Sequence, residues 1–161
     1  MVGELSGTVT GYAIDERTGA LKQVSEASGI PESLGLAPGE ARSAANNDLK
    51  DDPTPRVWAA DIRLSPDGSL LYITERTTSS VSAFKVDAKD GSLQLLGNYP
   101  VQEKQPRNIA FFPNGKWLLV TGEKSQTVGS YRIGDKGSLE RVGEAKSGDG
   151  ALWIEILPIK P

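Results

Sequence analysis

In the second half of the chain the apolar positions fall in short runs of six to eight residues, rich in β-branched and aromatic side chains. Residues 61–66 (DIRLSP), 70–75 (LLYITE), 80–86 (SVSAFKV) and 92–99 (SLQLLGNY) form one set. Residues 108–113 (NIAFFP), 117–122 (WLLVTG), 127–133 (TVGSYRI) and 138–145 (SLERVGEA) form another. Asp-Gly, Asn-Gly and Asp-x-x-Gly steps separate the runs, and the third run of each set alternates with a period of two. Short alternating runs punctuated by such turns predict antiparallel strands.

The two sets are copies of each other. Pro66-Asp67-Gly68 and Pro113-Asn114-Gly115 lie 47 positions apart, and the same step carries Val81 to Val128, Phe84 to Tyr131 and Val86 to Ile133. A partial third copy stands at the front, where Val9, Tyr12, Ile14, Gly19 and Leu21 match Val81, Phe84, Val86, Gly91 and Leu93 at a step of 72. Four strands in a repeat of 40 to 50 residues predict an all-β chain of β-propeller blades. A sandwich or a β-solenoid is the competing reading, and it fits the repeat length less well.

The expected layout is a single partial propeller of about three blades. Residues 1–27 supply strands of a divided blade, 28–56 a surface loop insertion rich in Pro, Gly, Ala, Asn and Asp, 57–100 and 101–148 two whole blades, and 149–161 a closing strand. Closed propellers need about four to eight blades. Two copies exchanging the terminal strand would make six, so a homodimer completing a ring is an expected partner state.

Composition narrows the chemistry. The 161 residues include no Cys and no His, which excludes thiol nucleophiles, Ser-His pairs, imidazole bases and His- or Cys-ligated zinc. Carboxylates, Arg, Lys, Tyr and water remain. A net charge of −3 with scattered basic residues gives no nucleic-acid footprint. Apolar runs such as WLLV are too short to span a bilayer. A membrane is therefore not expected as a partner, and the expected compartment is the cytoplasm. The DAKDG turn lacks calcium-loop spacing, no Gly-rich phosphate loop occurs, and no metal or other cofactor is expected.

The stretches RVWAADIRLSPDGSLLYITERT, EKQPRNIAFFPNGKWLLVTGEKSQTVGSYRI and GALWIEIL, with VGELSGTVTGYAIDERTGAL at the front, resemble the seven-bladed propeller lactonases. These are of the bacterial 6-phosphogluconolactonase type, related to the carboxymuconate cyclases, and the likeness is to their C-terminal part. The resemblance implies hydrolysis of a small sugar-acid lactone by activated water, without metal or acyl-enzyme. Carried over position by position, it makes Glu4 a candidate base or acid and Arg76 a candidate oxyanion or carboxylate clamp. Arg107 becomes a candidate phosphate binder, and Asp61 occupies the matching place one blade earlier. Gly3 stands where the family has Asn, and Arg63 where it commonly has His.

Each candidate has a plainer reading. Glu4 would be a solvated side chain, Arg76 an ion-pair partner of its neighbour Glu75, and Asp61 a clasp between strands through backbone hydrogen bonds. Arg63 shares a face with Asp61 and can pair with it with or without a ligand. Arg107, entering an innermost strand after a proline, points toward a channel mouth. Trp58, Trp117 and Trp153 read as packing between blades. The functional alternatives to a lactone hydrolase are a non-catalytic binding or self-assembly module and a carboxymuconate-type lactonizing enzyme.

Overall fold

The structure is a computed structural model and describes residues 1–41 and 53–157. Residues 42–52 of the expected insertion and 158–161 of the expected closing strand lie outside the described residues. Among the described residues there are ten strands, joined by short connections except for the long segment between Ser28 and Ala59. The strands are β1 (Thr8–Ile14), β2 (Leu21–Ser28), β3 (Ala59–Leu64), β4 (Leu70–Glu75), β5 (Ser80–Val86), β6 (Leu93–Pro100), β7 (Pro106–Phe111), β8 (Trp117–Gly122), β9 (Thr127–Ile133) and β10 (Leu139–Lys146). They form a β1-β2 pair and two four-stranded antiparallel meanders, β3 to β6 and β7 to β10. The fold is that of a partial β-propeller.

The turns follow from their residues. Gly68 and Gly115 sit at φ of 74° and 68°, left-handed conformations that favour glycine. Beside Gly68, the Asp67 carboxylate accepts the Ser65 hydroxyl at 2.6 Å, the Ser69 hydroxyl at 2.8 Å and the Ser69 amide at 3.1 Å. These donors lower the Asp67 pKa to about 2, the Ser65 hydroxyl contributing most.

A shared irregularity ties the front pair to the two meanders. Register shifts next to Phe84 in β5, next to Tyr131 in β9 and next to Tyr12 in β1, so Leu96, Val142 and Val24 bulge from the following strands. The three bulges fall at equivalent positions of the repeat. Before β1, Val2 bridges Val9, and the Gly3 amide donates to the Thr8 carbonyl at 2.9 Å, so the first residues run antiparallel to β1.

Alternation sends one face of each strand to each neighbouring sheet. Val9, Ile73 and Phe84 form a buried cluster between the front pair and the first meander. A larger cluster, Tyr72, Val81, Ala83, Val101, Ile109, Leu118, Val120 and Tyr131, joins the two meanders. Within it Tyr72 meets Phe111 edge-on, ring centroids 5.5 Å apart. Among the described residues no helix is long and apolar enough to cross a membrane.

Candidate active site

The innermost strands, β3 and β7, lie side by side because Asp61 binds them together. Its Oδ2 accepts the Asn108 side-chain amide at 2.6 Å and the Ile109 amide at 3.0 Å, and its Oδ1 accepts the Ile62 amide at 2.9 Å. Asn108 repeats the device one blade on, its Oδ1 accepting the Ile154 amide at 2.9 Å. This bond sets residues 151–157 beside β7, where a further innermost strand would lie, although they form no strand among the described residues.

At the end of these strands where β7 begins, four segments converge. The Ala59 amide donates to the Glu4 carbonyl at 2.8 Å, which brings the turn before β1 against β3. Glu75, fully buried, turns its carboxylate inward and accepts the amides of Trp58, Thr77 and Thr78 and the Thr78 hydroxyl. Glu75 thus fixes the turn that carries Arg76 and leaves that guanidinium to other partners. Successive residues of a strand point to opposite faces, and Glu75 ends β4 just before Arg76.

The Arg76 side chain is only 4% exposed. Its guanidinium lies over the Trp58 ring, 3.9 Å from the centroid, with Nη2 3.0 Å from Glu4 Oε1 and Nη1 3.5 Å from Glu123 Oε2. Trp58 Nε1 donates to the same Glu4 oxygen at 2.5 Å. The Glu4 side chain nevertheless remains 60% exposed and open to solvent. Arg107, 41% exposed, approaches the same Glu123 oxygen, its Nη1 3.5 Å from Oε2.

Glu4, Asp61, Arg76, Arg107, Asn108 and Trp153 line an open cleft of about 400 Å³. Arg63 does not line it. Its Nε is taken by Asp61 Oδ2 at 3.1 Å and the Ile109 carbonyl at 3.2 Å, and its guanidinium lies 4.8 Å from the Trp153 ring centroid. The guanidinium therefore borders a neighbouring hollow with Phe111 and Ile154. Among the described residues no group of three or more carboxylates is placed to hold a metal ion.

Three participants were not picked out from the sequence. Trp58 and Trp153 read as packing between blades, yet one carries Arg76 and the other, 64% exposed, walls the cleft. Glu123 gave a single available signal, its place 47 positions after Arg76, the step of the repeat.

A solvent-facing carboxylate sharing a hydrogen bond with a buried guanidinium can accept a proton from water while the cation stabilises negative charge developing on a carbonyl oxygen. Residues 1–156 match the family model described as "Lactonase, 7-bladed beta-propeller". The chain belongs to this family. Among lactonase-family relatives, the 6-phosphogluconolactonase of Pectobacterium carotovorum is 32% identical over 159 residues, covering 98% of this chain and 42% of the relative. That of Blochmanniella pennsylvanica is 37% identical over 105 residues, 65% of this chain and 31% of the relative. Among solved structures, a protein from Lactobacillus plantarum aligns with a TM-score of 0.73 at 25% identity, over 94% of this chain and 39% of its own. The Pseudomonas aeruginosa periplasmic gluconolactonase aligns at 0.68 and 26% identity, over 91% of this chain and 36% of its own. The chain thus spans about two fifths, or less, of the length of the lactonases it matches.

Proposed function

We propose that this chain carries the lactone-opening cleft of a sugar-acid lactonase. The observation that supports this most directly is the Glu4–Arg76 pair, an exposed carboxylate against a buried, ring-stacked guanidinium, facing the same cleft as Arg107. Water held by Glu4 attacks the lactone carbonyl carbon and gives its proton to the carboxylate. The carbonyl oxygen gains negative charge beside Arg76. Collapse breaks the bond to the ring oxygen, which takes the proton back from Glu4 and leaves as a hydroxyl, giving the open-chain acid. Arg107 meets the far end of the substrate. Asp61, with Arg63 against it, fixes the floor on which the substrate rests. The relatives' names supply the substrate class, and no cofactor enters the proposed reaction. The cytoplasm is the proposed compartment, although the P. aeruginosa neighbour is periplasmic.

The test is the rate of glucono-1,5-lactone disappearance above the buffer rate, for the full chain and for Glu4→Gln and Arg107→Ala. A rate above buffer that falls about a hundredfold or more in Glu4→Gln is expected. Rates equal to buffer in all three proteins would overturn the reading.

A second reading, self-assembly, is favoured by the exposed faces. Tyr12 and Ile14 are 40% and 65% exposed, and they occupy the repeat positions of Phe84 and Val86. Phe84 is fully buried against the sheet before it. At the opposite end, Trp117 and Leu119 alternate with the buried Leu118 and point away from the first meander. One copy therefore presents both halves of the contact that joins its own blades. The occupant proposed for these faces is a second copy, set head to tail so that two copies close a six-bladed ring.

A further inference from the structure

We infer that the cleft takes an uncharged aldonolactone in preference to a phosphorylated one, and that Glu123 is the residue that sets this choice. The inference rests on the lactonase reading above and names the substrate class within it. Glu123 stands at the start of the turn between β8 and β9, the place Arg76 holds in the preceding blade. Where a second cation would serve a phosphate, the repeat carries a carboxylate. That carboxylate lies 3.5 Å from both Arg76 Nη1 and Arg107 Nη1. Its Oε2 is buried, and among the described residues it makes these long ion pairs and no hydrogen bond of normal length.

The charges of the cleft follow. Arg63 balances Asp61 from outside it. Among the described residues, Glu4 in the cleft and Glu123, which does not itself line it, then meet Arg76 and Arg107, one carboxylate for each guanidinium. A phosphate dianion placed on Arg107 would sit beside the Glu123 carboxylate, and like charges at that range repel strongly where solvent is partly excluded. Lys104 and Lys124 are exposed and do not line the cleft. A lactone bearing only hydroxyls meets no such penalty. Its hydroxyls can donate to Glu4 and accept from the guanidiniums. The same balance disfavours a tricarboxylate, and so the carboxymuconate-type chemistry.

The test compares two probes that cannot be hydrolysed as lactones, glucono-1,5-lactam and its 6-phosphate, by calorimetric titration of the full chain at fixed ionic strength. The neutral lactam is expected to bind at least about tenfold more tightly. In Glu123→Gln the ratio is expected to move about tenfold toward the phosphate. Tighter binding of the phosphate by the unmutated chain overturns the inference and leaves the lactonase reading standing. An unchanged ratio in a folded Glu123→Gln, checked by circular dichroism, overturns the role of Glu123. Should that variant not fold, the ratio for the unmutated chain, which needs no substitution, decides the substrate class. Binding of neither probe overturns the lactonase reading together with the inference.

Discussion

Arg76 and Glu123 hold the same position in successive blades, 47 residues apart, and their side chains meet at 3.5 Å. A repeat normally places like residues at like positions. Here it places opposite charges, and the inter-blade ion pair that results fixes a guanidinium that lines the cleft.

Removing Arg76 tests this arrangement. Its guanidinium fills the space over Trp58 and pairs with Glu4 and Glu123, so Arg76→Ala leaves a buried gap and partly buried carboxylate oxygens without their cation. A loss of about 2 kcal/mol in urea unfolding and loss of lactone hydrolysis are expected. Arg76→Lys keeps the charge but not the planar fork or the stacking, and it should recover part of the stability and little of the rate. Full activity in Arg76→Lys would show that only the charge matters.

Asp61 clasps the two innermost strands. Its carboxylate accepts from the Ile62 and Ile109 amides, the Asn108 side chain and Arg63. Asp61→Ala strands those donors between β3 and β7 and should cost about 3 kcal/mol in urea unfolding. Asn108→Ala removes the acceptor of the Ile154 amide and should leave the two meanders intact while exposing residues 151–157 to hydrogen exchange. Equal protection of those residues in both proteins would show that the bond does not hold the segment.

The pH dependence of stability has a low window and a high one. Asp67 has its pKa lowered from 3.8 to about 2 in the fold, so its contribution is complete above about pH 4 and disappears as pH falls toward 2. Asp67→Ala should flatten the acid limb of the stability curve over that range. Tyr131 is pushed the other way, to about 12, by burial first and then by its hydrogen bond to Glu103. The fold favours the neutral phenol, so its contribution holds below about pH 10 and is lost as pH rises toward 12. Absorbance at the tyrosinate band, compared with Tyr131→Phe, reads this directly.

Much of this architecture was legible in the residues. The runs at 70–75, 80–86, 117–122 and 127–133 are the strands β4, β5, β8 and β9 to the residue, because turn glycines and period-two alternation are local signals. The bulges at Val24, Leu96 and Val142 were not legible. An extra residue in one strand is defined only by its partner strand. At the site, Glu4, Arg76, Arg107 and Asp61 were picked out and do line one cleft. The pairing of Arg76 with Glu75 was a reading of chain adjacency, whereas the Glu75 carboxylate is consumed by the Thr77 and Thr78 amides of its own turn and by the Trp58 amide before β3. Trp58 was read as packing because an aromatic between blades usually packs. Here its ring also carries a cation, which only the tertiary arrangement reveals.

The exposed faces yield the last prediction. If Tyr12 and Ile14 of one copy receive Trp117 and Leu119 of another, light scattering on a sizing column should give twice the mass of a single 17.1 kDa chain, with no higher species, because a two-fold ring leaves no open face. Ile14→Lys places a charge at the centre of that contact without touching the buried Val9 cluster, since residues 9 and 14 point to opposite faces of β1. It should give a monomer with the same circular dichroism spectrum. A monomer at all concentrations before mutation would reject the second copy as the occupant. A ladder of larger species would instead show head-to-tail contacts that fail to close, the behaviour expected where the angle between blades does not divide the circle evenly.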